Sequence, residues 1–193
     1  MKTLIIFGSP RKDGNTASLL KPFMEELKDL GADLMYVDVY EMDIAGCRAC
    51  LACQDNKGKI CCAIPDDMQR IYPLAAAADL IVFAAPIYIW SAPAPVKAVI
   101  DRLVYASCKY YGGDPYGPSL MEGKRFAIIT TCGYPVEKAA DLYAEEIKRF
   151  AKHCRASYAG ILAERQRNLK DPFMTPEKEE HARQFARELA NFV

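Results

Sequence analysis

No apolar run in this chain is long enough to cross a bilayer, and neither charge sign is in excess: 25 basic residues face 25 acidic ones. The first absence excludes a helical membrane span. The second argues against a dedicated nucleic-acid binder, which needs a basic surface. Histidine occurs only twice, and His153 and His181 both fall in late helical stretches and read as surface residues. No Ser-His-Asp set and no paired acid and base stand out. Neither G-x-G-x-x-G nor Gly-Lys-Ser/Thr occurs, so neither a Rossmann dinucleotide fingerprint nor a P-loop is indicated. The chain begins directly on a strand and leaves no room for a signal peptide. Cysteine, in contrast, is abundant: there are eight, five of them within residues 47 to 62. That clustering, without an export signal, predicts a reduced cytoplasmic compartment and points to metal or redox chemistry rather than a disulfide scaffold.

The 193 residues are enough for one domain with a substantial core, and no internal repeat or low-complexity linker divides them. Leu4 to Phe7, Leu34 to Val39, Asp79 to Ala85, Lys124 to Thr131 and Ser157 to Ala163 read as strands, with Pro86 ending the third. Between them lie helical stretches. Leu19, Leu20, Phe23, Leu27 and Leu30 recur at helical spacing. Asp66-Asp67-Met68 opens a helix running to about Ala77, its acids suiting the helix dipole. Further helices are expected from Pro95 to about Cys108, over 136 to 153, and from the Thr175 cap nearly to Val193. Residues 41 to 65 form a long loop, with its cysteine-rich part at 44–65. Residues 109 to 122, with Gly112, Gly113, Pro115, Gly117 and Pro118, read as a second, mobile loop. Alternating strands and helices predict an α/β fold, a three-layer sandwich around a five-stranded parallel sheet. The flavodoxin-like order 2-1-3-4-5 fits, with a ligand crevice at the carboxyl ends of the strands.

Three loops would meet at that crevice. The first, Gly8 to Thr16, joins the first strand to a helix N-terminus, where unpaired N–H groups and the helix dipole attract anions. Ser9, Asn15 and Thr16 offer short polar donors, Arg11 a permanent cation with a fork suited to phosphate oxygens, and Gly14 close backbone approach. An ordinary polar turn is the plain alternative. The second loop, Pro86-Ile87-Tyr88-Ile89-Trp90-Ser91, is aromatic and apolar and can wrap a flat heteroaromatic ring. Alternatively, Tyr88 and Trp90 are core or subunit-interface residues. The third runs from Thr131 to Tyr134.

The pattern Ser9-x-Arg11-x-x-Gly14-Asn15-Thr16 resembles the FMN-phosphate loop of the flavodoxin-like NAD(P)H-dependent FMN reductases. Ala85-Pro86-Ile87-Tyr88, Pro93, Lys97 and Ile100-Asp101-Arg102 resemble a second segment of that superfamily, and the likeness covers roughly residues 3 to 135. It implies FMN, with its phosphate on Ser9, Arg11, Asn15 and Thr16. The ring would lie against Pro86, Ile87, Tyr88, Ile89 and Trp90, with Thr131 and Gly133 on the far side. It also implies a homodimer or homotetramer. Trp90 and Cys132 replace the small or glycine residues expected at those places. No residue is assigned as catalytic, because the flavin itself carries the hydride and electron chemistry.

Cys47-x2-Cys50-x2-Cys53, followed by adjacent Cys61 and Cys62, can supply four thiolates at compact spacing. Such a set can hold a 4Fe–4S cluster, and zinc is another tetrahedral thiolate option. The segment resembles the iron–sulfur flavoprotein branch, C-x2-C-x2-C-x4–7-C before Asp-Asp-Met. Cys61 satisfies the interval, whereas Cys62 keeps the spacing to Asp66. The resemblance favours Cys47, Cys50, Cys53 and Cys62 as ligands, with Cys61 as the rival for the fourth place; free thiols or a disulfide remain open. Cys108, Cys132 and Cys154 read as buried small hydrophobes. Three functions follow. The first is an FMN-dependent electron-transfer oxidoreductase, taking electrons from NAD(P)H or a reduced carrier and relaying them through the cluster to a small-molecule or protein acceptor. The second is a cluster-free NAD(P)H-dependent FMN or quinone-type reductase. The third is a non-enzymatic flavin-binding thiol or metal sensor.

Overall fold

The computed structural model describes residues 1–111 and 116–191. Five parallel strands lie in the order β2-β1-β3-β4-β5: β1 Lys2–Phe7, β2 Asp33–Asp38, β3 Leu80–Pro86, β4 Arg125–Cys132 and β5 Ser157–Arg165. The central strands are continuous apolar runs because both faces are covered. Within them successive side chains still alternate. Leu4, Ile6, Ile81, Phe83, Phe126 and Ile128 enter one core. Ile5, Phe7, Val82, Ala84, Ala127 and Ile129 enter the other.

The first core is closed by α2 (Met68–Ala77), α3 (Ala94–Ser107) and, after the short α4 (Val136–Ala139), α5 (Asp141–His153). The second is closed by α1 (Asn15–Asp29) and α6 (Pro176–Ala190), whose Phe23 and Phe185 rings pack 5.9 Å apart. Among the described residues no helix is long and apolar enough to cross a membrane.

Several boundaries differ from the expected ones. β2 stops at Asp38, whose carboxylate accepts the Tyr40 N–H at 3.0 Å and turns the chain into a single 3-10 turn. Pro86 is the last residue of β3 rather than a stop before it. The stretch 136–153 is two helices interrupted at Ala140. Leu30 lies past the end of α1 and is exposed, so it does not belong to the buried face. Asp66 and Asp67 precede α2 instead of occupying its first turn. Of the second long loop, Gly112, Gly113 and Pro115 lie outside the described residues. Its described ends fold back on each other, with Cys108 bridged to Ser119.

Candidate functional site

The carboxyl ends of β1, β3 and β4 form one crevice, and backbone bonds fix its walls. The Gly8 N–H donates to Ala84 at 2.8 Å and the Ile87 N–H to Thr131 at 2.9 Å. α1 starts behind Gly14, a cap with no side chain to accept from the first-turn amides. α6 is different: Thr175 caps it, accepting the Lys178 N–H. The open N–H groups of a fifteen-residue helix therefore face the first loop, as an anion site requires. Arg11 is exposed beside Gly14 and forms no ion pair among the described residues. Ser9 is buried, and its hydroxyl is engaged with the Arg11 backbone at 3.2–3.3 Å, so it shapes the loop. Thr16 and Thr131 share a buried hydroxyl–hydroxyl bond of 2.8 Å that joins the first and third loops. Asn15 reaches Gln166 across 3.3 Å, a residue without any sequence signal.

The second loop is a tight turn in which Tyr88 and Ser91 exchange backbone bonds. Its central residues, Ile89 at φ 49° and Trp90 at φ 62°, are both left-handed. That sign pattern suits Asn-Gly, and a β-branched residue in it is strained. Ile89 is nevertheless 85% exposed, so core packing does not compensate for the strain. Trp90 Nε1 donates to the Lys138 carbonyl at 2.9 Å, and Ser91 Oγ donates to Glu146 at 2.7 Å, tying the turn to α4 and α5. Ile87, Ile89, Trp90, Cys132, Gly133, Tyr134 and Ala139 enclose a cavity of ≈180 Å³. Four of these carry the expected ring-binding positions, and Cys132, Tyr134 and Ala139 add to them. Burial pushes the Cys132 thiol above its ordinary pKa, which suits an apolar lining.

The cysteine loop lies against α2 and α3. Cys47, Cys50, Cys53 and Cys62 line one small cavity with Ile64, Arg102 and Tyr105, and Cys61 is not among its walls. Left-handed Ala49 and Leu51, on either side of Cys50, fold the chain tightly enough for this convergence. Two motifs meet beneath it: Arg102 Nη1 donates to Asp66 Oδ2, and both side chains are buried. Asp66 also accepts the Ala45 N–H at 2.9 Å and the Met68 N–H at 3.1 Å. The pair thus clamps the start of the cysteine loop to its end. Burial raises the Asp66 pKa, but the Arg102 partner and the two N–H bonds outweigh it and hold the carboxylate ionised. At Cys62 burial also opposes ionisation. The Ile64 backbone N–H and the neighbouring Arg102 charge prevail, and the thiol is more acidic than usual. Cys53, more deeply placed, is shifted upward by burial, and its Sγ donates to the Tyr105 carbonyl at 3.1 Å.

Among the described residues, no three His, Cys, Asp or Glu side chains already stand in metal-binding proximity. The surroundings nevertheless fit an anionic thiolate-bound group. Arg102 Nε is buried without an acceptor. Lys109 is fully buried, and its ammonium donates to the Cys53 carbonyl at 2.7 Å. Neither Arg102 nor Lys109 could be recognised as a buried cation from sequence. Gln54 is likewise unannounced: its amide bridges the Tyr105 and Cys108 carbonyls at 2.7 and 3.0 Å. Cys108 and Cys154 are buried as expected, with their sulfurs 3.3 Å apart.

Known proteins resemble this chain in sequence and in fold. An iron–sulfur flavoprotein of Methanosarcina thermophila is 40% identical over 104 residues, 54% of this chain and 53% of that protein. One from Archaeoglobus fulgidus is 34% identical over 146 residues, 72% of this chain and 59% of its own length. The chain therefore spans between half and three fifths of these curated relatives. An NAD(P)H:quinone oxidoreductase from Methanothermobacter marburgensis superposes over 100% of this chain and 98% of its own with a TM-score of 0.77, at 17% identity, a likeness of fold. The family described as NADPH-dependent FMN reductase matches residues 1–148, and the chain belongs to it.

Proposed function

We propose that this chain is an FMN-dependent oxidoreductase that passes electrons from FMN to a 4Fe–4S cluster held by Cys47, Cys50, Cys53 and Cys62. The observation that carries the reading is that those four cysteines line one cavity beside buried Arg102, with Cys61 outside its walls. The bare start of α1, Arg11, Asn15 and Thr16 would hold the FMN phosphate. Ile87 to Trp90 and Thr131 to Gly133 would flank the ring. Held by these residues, FMN would supply hydride or electron acceptance from NAD(P)H or a reduced carrier and single-electron release to a cluster. The chain's own part is to orient the ring by backbone contacts, to exclude water with Ile89 and Trp90, and to keep the cysteine site ionised through Arg102.

The test is anaerobic purification with iron, acid-labile sulfide and visible spectra. FMN together with iron and sulfide is expected. FMN alone, even after reconstitution, would leave the cluster-free NAD(P)H-dependent reductase. That second reading draws on the absence of ready-formed metal-binding proximity among the described cysteines and on the quinone oxidoreductase fold. Within the cluster reading, Cys62→Ser should abolish most bound iron while Cys61→Ser leaves it largely intact. The reverse result transfers the fourth ligand to Cys61.

A second copy of the chain is the proposed cover of the crevice, giving a homodimer or homotetramer. Ile89, Trp90 and Tyr134 are exposed around one cavity, and Tyr88, next to Ile89 in the same turn, is exposed as well. Sedimentation of the FMN-bound protein as a 21.5 kDa monomer would remove this part of the proposal.

A further inference from the structure

Lys109 is the least explained charge in the molecule. It has no exposed surface. Its ammonium carries three donors yet has one acceptor among the described residues, the Cys53 carbonyl. No described carboxylate pairs with it. The other buried cations differ. Arg102 has Asp66. Lys124, partly buried, donates to the Ala76 and Ala78 carbonyls at the negative end of α2. Lys109 even has a second ammonium close by, because Lys57 Nζ donates to its own carbonyl at 2.7 Å. Burial lowers the Lys109 pKa; set against that are the sulfurs of Cys61, Cys53 and Cys108, while Lys57 adds to the lowering. Two fully buried cations, Arg102 and Lys109, thus border the cysteine loop, and among the described residues one carboxylate, Asp66, answers them.

A buried charge without a counter-charge is strongly disfavoured. Burial of Lys109 against the Cys53 carbonyl therefore calls for negative charge in the adjoining cysteine loop. We infer that Lys109 is the counter-cation of the thiolate set, a positioning residue that offsets the charge of the bound iron–sulfur group and raises its reduction potential. This rests on the cluster reading above. One-electron reduction adds one negative charge to the group and moves no proton or ligand in this step. A fixed cation nearby favours the more negative, reduced state. The neighbouring Gln54 bonds to Tyr105 and Cys108 hold the Cys53 carbonyl in reach of Nζ, so the ammonium cannot swing away to water.

The experiment compares the full-length wild type with Lys109→Met, Lys109→Gln and Lys109→Arg, each prepared anaerobically. Gln keeps a hydrogen-bond donor without charge, and Arg keeps the charge. Two quantities are measured: the cluster midpoint potential by redox titration followed by electron paramagnetic resonance, and the urea midpoint of the metal-free protein. The expected result has opposite signs. Met and Gln lower the potential of the loaded protein, and both make the metal-free protein more resistant to urea, because an uncompensated buried charge is gone. Arg stays near the wild type in potential. Equal potentials in wild type, Met and Gln overturn the inference, as does a loss of urea resistance in metal-free Met and Gln, which would make Lys109 a plain structural donor. If Met fails to fold, Gln alone decides. A wild type that takes up no iron and sulfide sinks the cluster reading and this inference together. A loaded wild type with unshifted variants sinks this inference alone.

Discussion

The crevice at the strand ends and the cysteine loop beside it are built by opposite means. The crevice is positioned by backbone: strand register, the Gly8 and Ile87 amide bonds and a helix start left without a cap. Few of its polar groups are charged, and its aromatic turn faces solvent. The loop is positioned by buried charge, with Asp66, Arg102 and Lys109 holding a segment whose only helical element is the single turn Ala52–Gln54. The crevice would therefore keep its shape when side chains change, whereas the cysteine loop would not. A ligand held by backbone amides tolerates sequence drift in its walls; one held by ion pairs is hostage to single substitutions.

The strongest way to break the comparison is Arg102→Met. It leaves Asp66 buried without its partner and should cost about 3–5 kcal/mol. Urea denaturation measures that loss. Iron content is expected to collapse further than FMN content; if both fall equally, the two regions are not separable. Arg11→Ala addresses the crevice. Removing one charge-assisted contact should weaken FMN by roughly 1.5–3 kcal/mol, on the order of 10- to 150-fold in Kd, and riboflavin hardly at all. Equal losses in fluorescence titrations of the two ligands would refute the phosphate assignment. The smallest effect is expected at the turn. Ile89→Gly relieves a left-handed β-branched residue, so unfolding free energy should rise by roughly 0.5–1 kcal/mol while FMN binds less tightly. A destabilised variant would mean that Ile89 packs against something in solution, such as a second subunit.

The sheet was legible because its strands are buried on both faces and bounded by Gly and Pro. The three loops of the crevice were legible because each follows a strand end and is local in sequence. Five of the eight cysteines advertise their loop, and Cys47, Cys50, Cys53 and Cys62 line one cavity in it. What stayed hidden is non-local or against propensity. Asp66 meets Arg102 across 36 positions, and Lys109 meets Cys53 across 56. Neither contact has a period or spacing to read. Ile89 and Trp90 carry no preference for the left-handed backbone they adopt. The interruption at Ala140 has no Gly or Pro to mark it. The acids before Met68 read as helix-dipole partners, when the carboxylate of Asp66 also serves an arginine on a different helix.

Trp90 is the chain's one tryptophan. It stands in the wall of the ≈180 Å³ cavity, with its indole N–H anchored to α4 at Lys138. Emission excited beyond the absorption of the 11 tyrosines is consequently a single-site signal. A flavin seated against this wall would quench it almost completely by energy transfer. An unfolding curve followed by this emission would track the detachment of one turn from α4, and circular dichroism would be needed to follow the sheet. The molecule thus carries its own optical probe at the place where its chemistry is expected to occur.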